Sequence, residues 1–389
     1  MTEIDRILRD AVDTGTIPGA VAMAATTDAI IHQTAYGRRS VPDGAPMTPD
    51  TVFRIASMTK AITATAAMQL VEQGRLSLDA PAGEIVPDLA APQVLEGFDA
   101  ASKPRLRPAQ GTITLRQLLT HTSGFGYDVW NPDLLRYHRD TGLPATRTGK
   151  LASLRAPLTF DPGTRWQYGI GIDWVGRMVE AVSGLDLETY FRTHIFAPLG
   201  MTDTSFLVRP HMEPRLATVH ARTADGLEPL QFDPNPPREF FPGGGGLYST
   251  AADYLTFLRM LLAGGTLNRA TILRRDTVAE MARNHIGPLL VGPLRSVVAA
   301  SSNDFEPFPG SPKKWGLSFL INTEPVPGGR AAGSLAWAGL YNTYFWLDPT
   351  AGVAALLLTQ ILPFGDHIVL DLLDRFETNL YAALTAGHI

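Results

Sequence analysis

A serine and a lysine stand three positions apart in RIASMTKAITA, residues 54–64, as Ser57 and Lys60. On a helix, positions i and i+3 share a face, so the lysine amine can reach the serine hydroxyl. A serine in the first turn also meets free backbone N–H groups and the positive end of the helix dipole. That setting suits a hydroxyl nucleophile whose attack on a carbonyl leaves an oxyanion. Lys60 can take the serine proton only as the neutral amine, and burial on an apolar helix favours that form. The spacing alone is weak evidence. A second copy, Ser311 to Lys314 in PFPGSPKKW, reads as a chance match in a Pro- and Gly-bounded loop with a solvated lysine.

Three further stretches carry residues of chemical interest. RWQYGIGIDW puts Tyr168 in a short loop before a helix whose N-cap reads as Asp173. A tyrosine between apolar neighbours is more often core than catalytic. LLTHTSGFGY puts His121 in a turn, where bonding to local backbone is favoured over a role as base. LAWAGLYN reads as a strand with a small-residue gap at Ala338 and Gly339, a place where a ligand can approach backbone.

The elements that must position these residues follow from periodicity. Ile4, Leu8 and Val12 predict an amphipathic helix over 3–14, and GAVAMAAT and AIIHQTAYG predict two strands joined by a short turn. Ser57 to Gln73 predicts a long buried helix with Gly74 at its C-terminus. Helices are predicted over 174–183 after Asp173 and 187–196 after Asp186. PGGGGLYST, residues 242–250, is a flexible turn leading to a helix capped by Thr250. KKWGLSFLIN, GSLAWAGLYNTYFWLD and GVAALLLTQIL predict three strands before a closing amphipathic helix, HIVLDLLDRFETNLYAAL.

The expected fold is α/β (α+β): one antiparallel sheet from both ends of the chain, flanked by N- and C-terminal helices, with an all-helical insert. The expected division is 1–60 with 236–389 as the sheet domain and 61–235 as the insert, with the site between them.

Composition narrows the function classes. The 389 residues are 45% apolar and 18% charged, with a net charge of -5 and no basic run, so nucleic acid is an unexpected partner. There is no cysteine, which excludes disulfides, thiolate metal sites and a thiol nucleophile. The nine histidines form no H-x-x-x-H or H-E-x-x-H, and no G-x-G-x-x-G opens a helix after a strand. No G-x-S-x-G is present, so an α/β-hydrolase elbow is excluded. MTEIDRILRDAVDTG is not a signal peptide, and no apolar run is long enough to span a bilayer. The expectation is a cytoplasmic protein acting on a small molecule, monomer or dimer.

Together, SMTK, LLTHTSG, Tyr168-Gly-Ile and Trp337-Ala-Gly resemble, in order and spacing, the serine β-lactamase and penicillin-binding-protein superfamily. The match is to the class C branch and, within it, to the family VIII carboxylesterases. Two long segments, PRLRPAQGTITLRQLLTHTSGFGY and the run from Trp166 to Phe206, are similar to the lovastatin acyltransferase (simvastatin synthase) group. The resemblance runs over about residues 5 to 385. It implies a β-lactamase/transpeptidase-like fold, no cofactor or metal, and an acyl-enzyme on Ser57. It implies Lys60 as proton partner and Tyr168 as general base or proton shuttle, with the coupled pair left undivided. It also implies an oxyanion hole from the backbone N–H groups of Ser57 and Leu340.

Two departures from that pattern matter. Where class C β-lactamases carry Tyr-x-Asn and Lys-Thr-Gly, this chain has Ile170 and Trp337 at the asparagine and lysine positions. The cation that meets a β-lactam carboxylate is thereby lost, and a buried carboxylate facing Trp337 would lack a partner. Neutral apolar esters are therefore expected over β-lactams. Tyr127, Trp337, Gly339, Phe125, Trp166 and Tyr341 are the expected substrate-binding residues, with Trp130 a further candidate. The expected function is a serine carboxylesterase that also transfers the acyl group to alcohols. A secondary-metabolite acyltransferase and a β-lactamase or D-amino-acid peptidase are the alternatives. A non-catalytic binding protein is the reading from another class.

Overall fold

The structure, a computed structural model, describes residues 2–387. Helix α1 (Glu3–Asp13) opens the chain, with Thr2 and Asp5 forming a reciprocal capping box. Strands β1 (Gly19–Ala25) and β2 (Ile30–Gly37) follow as an antiparallel hairpin, matching the predicted pair. Helix α2 (Thr59–Glu72) is buried along its length except for Val71 and Glu72. Gly74, at φ +68, ends it as the sequence implied, and the Arg75 N–H returns to the Leu70 carbonyl.

Five more strands complete the main sheet: β3 (Lys313–Trp315), β4 (Leu320–Asn322), β5 (Leu335–Gly339), β6 (Thr343–Asp348) and β7 (Val353–Leu358). The order is β3-β4-β5-β6-β7-β1-β2, antiparallel throughout. The first hairpin thus inserts beside the last long strand, with Val21 opposite Leu358. Strands β1, β6 and β7 are buried on both faces. Helix α4 (Ala251–Leu262) packs on β1 and β7. Helices α1 and α5 (His367–Thr385) pack on each other, and Phe376 of α5 meets Trp346 of β6 and His32 of β2. The mixed α/β fold and the single antiparallel sheet from both ends of the chain are as expected.

Several predicted boundaries differ. Two of the three long C-terminal runs are interrupted by a turn that an apolar pattern does not reveal. Ser318 (φ 78) separates β3 from β4, and Asn342 (φ 58) separates β5 from β6. Asparagine tolerates the left-handed region because its side chain bonds local backbone. Here the Asn342 amide donates to the Ile361 and Pro363 carbonyls. Helix α3 (Gly171–Ser183) starts before Asp173, so Asp173 is not its N-cap. Asp186 does cap the next helix by accepting from the Thr189 N–H, but that helix widens into a π turn over Arg192–Phe196. The hairpins of Gln93–Phe98 with Pro104–Pro108 and of Val219–Thr223 with Gly226–Leu230 were not predicted, so residues 61–235 are not the all-helical insert expected. No helix among the described residues is long and apolar enough to cross a membrane.

Candidate active site

Ser57 lies in a single helical turn, Ala56–Met58, leading directly into α2. Ala56 takes the left-handed φ of 44, which bends the chain sharply after the short strand Val52–Arg54 and presents Ser57 to a cavity. Lys60 is 1% exposed, and its Nζ donates to three oxygens: Ser57 Oγ at 3.2 Å, Tyr127 Oη at 3.0 Å and the Gly244 carbonyl at 2.5 Å. The predicted serine–lysine contact is therefore present. The decoy pair is not joined: Ser311 donates to Glu324, and half-buried Lys314, not solvated as expected, donates to the Gly287 and Leu289 carbonyls.

Tyr168 comes from the loop before α3 and is 3% exposed. Its hydroxyl accepts from the Trp337 Nε1–H at 3.0 Å, and its ring lies 4.8 Å from Lys60 Nζ. Tyr127, expected in the substrate-binding wall, also stands inside the Lys60 hydrogen-bond shell. Burial, followed by the charge of Asp173, holds the Tyr127 phenol well above its ordinary range. His121 takes a φ of 59, and its Nδ1 accepts from the Gly169 N–H at 3.4 Å, so its backbone partner is distant in sequence. Burial, with the Lys60 charge adding to it, keeps this imidazole neutral far below its ordinary value.

The end of β5 meets the Ser57 turn closely. A Cβ on Gly339 would lie 2.3 Å from the Ile55 carbonyl oxygen, so the small residue there is what permits the approach. Ser57, Tyr127, Tyr168, Trp337, Gly339, Leu340 and Tyr341 line one cavity of about 400 Å³, and Trp130 borders it. Phe125 packs against Trp174, and Trp166 packs against His121 and Trp315; neither lines the cavity. Ile170 is buried at the start of α3.

Residues not foreseen in the sequence also reach the site. Arg54, Arg147 and Arg238 rim the cavity. Arg54 donates to Tyr248 Oη at 2.6 Å and Arg238 to the Phe206 carbonyl at 3.0 Å, oxygens that carry no formal charge. Asp173, 1% exposed, accepts the Gly244 N–H at 2.9 Å, and burial pushes its carboxyl up to about 6 against the opposing pull of Lys60. An acidic residue near a helix start reads as a cap, which is why its inward aim was missed.

A family model described as Beta-lactamase matches residues 4–378. The monacolin J acid methylbutanoyltransferase of Aspergillus terreus is 37% identical, with 99% of this chain and 96% of the relative aligned. A lovastatin esterase of Penicillium rubens is 33% identical, with 98% and 99% aligned. Among solved structures, a mutant simvastatin synthase from Aspergillus terreus superposes with a TM-score of 0.86 at 33% identity, covering 99% of this chain and 97% of that one. With the serine–lysine turn, the tyrosine loop and the glycine at the end of β5 all facing one cavity, the chain belongs to the β-lactamase family.

Proposed function

We propose that this enzyme is a serine carboxylesterase and acyltransferase working through an acyl-Ser57 intermediate. The observation that carries the reading is the 3.2 Å contact between Lys60 Nζ and Ser57 Oγ at a cavity walled by Trp337. Ser57 Oγ attacks the ester carbonyl, and its proton passes to the coupled Lys60 and tyrosine hydroxyl system. The oxyanion gathers against the backbone N–H groups of Ser57 and Leu340. Collapse expels the alcohol, which takes that proton. Water then releases the acid, or a second alcohol takes the acyl group.

The two outcomes share the acyl-enzyme, and relatives of both kinds align over nearly the full chain. Trp337 fills the position where a lysine would meet a β-lactam carboxylate, which favours neutral acyl groups beside Ser57. The arginine rim offers a place for an anionic end of a larger substrate farther from the reacting carbonyl. The reading takes residues 61–235 as the insert whose junction with the sheet forms the cleft. It is tested with p-nitrophenyl butyrate, with and without an added alcohol, and with nitrocefin. Ester turnover, ester exchange and negligible nitrocefin hydrolysis are expected. Nitrocefin turnover rivalling the ester would overturn the specificity assigned to Trp337.

A further inference from the structure

We infer that Asp173 is the counter-charge of Lys60, acting across the backbone of Gly244 as a positioning residue for acyl transfer. The three oxygens around Lys60 Nζ belong to a hydroxyl, a phenol and a carbonyl. When Lys60 takes the Ser57 proton, the ammonium formed is buried among such acceptors and needs a nearby negative charge. Asp173 supplies it from the first turn of α3. Gly244 is held from both sides of its Cα: its carbonyl accepts from Lys60 at 2.5 Å, and its N–H, in the preceding peptide group, donates to Asp173 Oδ1 at 2.9 Å. A Cβ on Gly244 would lie 2.5 Å from Asp173 Oδ2, so a glycine here lets the carboxylate close on the loop.

The charged and titratable groups around the pair are few. Lys60 faces Asp173 from α2, and Tyr127, with Asp128 beside it, from the loop before Trp130. Tyr168 and His121 face Lys60. Arg177, one turn along α3, is paired with Glu180. The Pro242–Gly246 turn carries no titratable side chain. Burial raises the Asp173 carboxyl to about 6, and the Lys60 charge is the largest influence pulling it back. As pH falls through that value Asp173 takes a proton, the ammonium loses its counter-charge, and turnover falls.

The inference rests on the Ser57–Lys60 assignment. Asp173→Asn keeps an oxygen to accept the Gly244 N–H and removes only the charge. Its kcat is expected to fall by about tenfold to a hundredfold with KM changed by less than about threefold. The acid limb of the wild-type kcat profile near pH 6 is expected to disappear in this variant. Wild-type kcat in the variant, or an acid limb at the wild-type pH, would overturn the inference. A second arm needs no turnover and no folded Asp173→Asn single variant. Thermal unfolding is followed from pH 5 to 8 in Lys60→Met and in Lys60→Met/Asp173→Asn. A lone carboxylate with a raised folded-state pKa loses stability as pH rises toward that pKa, so Lys60→Met should lose Tm with rising pH, and the double variant should not. Equal pH slopes in the two would show that Asp173 carries no buried, ionisable charge beside this site and would refute the inference. Retained esterase activity in Ser57→Ala would instead remove the underlying assignment and leave the unfolding result standing.

Discussion

Tyr127 Oη and the Gly244 carbonyl hold Lys60 Nζ against Ser57 Oγ, and the phenol of Tyr168 is fixed by the indole of Trp337. Trp337 therefore does more than occupy the space of a lost lysine. Its N–H aims the tyrosine hydroxyl, and its ring, 4.9 Å from that of Tyr168, keeps the phenol from swinging away. Trp337→Phe keeps most of the bulk and removes the donor. Steady-state kinetics on p-nitrophenyl butyrate should show kcat down by about threefold to tenfold, the worth of one neutral hydrogen bond, with KM little changed. Unaltered kcat would mean that the tyrosine is held by packing alone. At this scale Ser57, Lys60 and Tyr168 were legible because their types and spacing recur as a set. Asp173 and Gly244 were not, because an acid near a helix start and a run of glycines both have commoner local explanations.

The elements act by bringing two backbones together. The turn Ala56–Met58 ends one approach, and the last residue of β5 ends the other. Gly339 has no room for a side chain: a Cβ there would sit 2.2 Å from Thr343 Oγ1 and 2.3 Å from the Ile55 carbonyl. Gly339→Ala should push the strand off the nucleophile's turn and cut kcat/KM by about a hundredfold or more, the scale of losing an oxyanion-hole donor. Gly74→Ala is the contrast. Its left-handed φ of +68 makes alanine costly by about 1–2 kcal/mol, yet no atom lies within 4 Å of the new Cβ, so Tm should drop while kcat/KM holds. Parallel melts and kinetics on the two variants check both outcomes. Apolar periodicity was enough to find α2, β1, β2 and α5. It did not show where the C-terminal runs break, since Ser318 and Asn342 adopt left-handed turns that their types permit but do not announce.

Across the whole molecule, the sheet is closed by segments from opposite ends of the chain, and α5 seals its outer face. One buried ion pair ties that helix to the loop before β5. Arg330, 4% exposed, donates from its backbone N–H, its Nε and a terminal nitrogen to the Glu377 carboxylate. Glu377→Ala would leave the guanidinium buried without its partner, which typically costs about 3–5 kcal/mol. Urea unfolding should show the midpoint falling by the corresponding amount, and activity well below that midpoint should persist because the pair is remote from Ser57. A negligible change would mean that water or neighbouring carbonyls take over the guanidinium. That both chain ends build one sheet was legible because both carried strand patterns around a helix-rich middle; the strand order was not. The Arg330–Glu377 pair was not, since nothing in an arginine and a glutamate 47 positions apart marks them as partners.

The central claim is a covalent one: the acyl group resides on Ser57 between the two half-reactions. Intact-mass and peptide-level mass spectrometry after rapid acid quench from a p-nitrophenyl butyrate reaction tests it directly. A butyryl adduct confined to the peptide containing Ser57 is expected, absent from Ser57→Ala, whose turnover is abolished. An adduct on another residue, or a Ser57→Ala enzyme retaining a tenth of wild-type turnover, would contradict it.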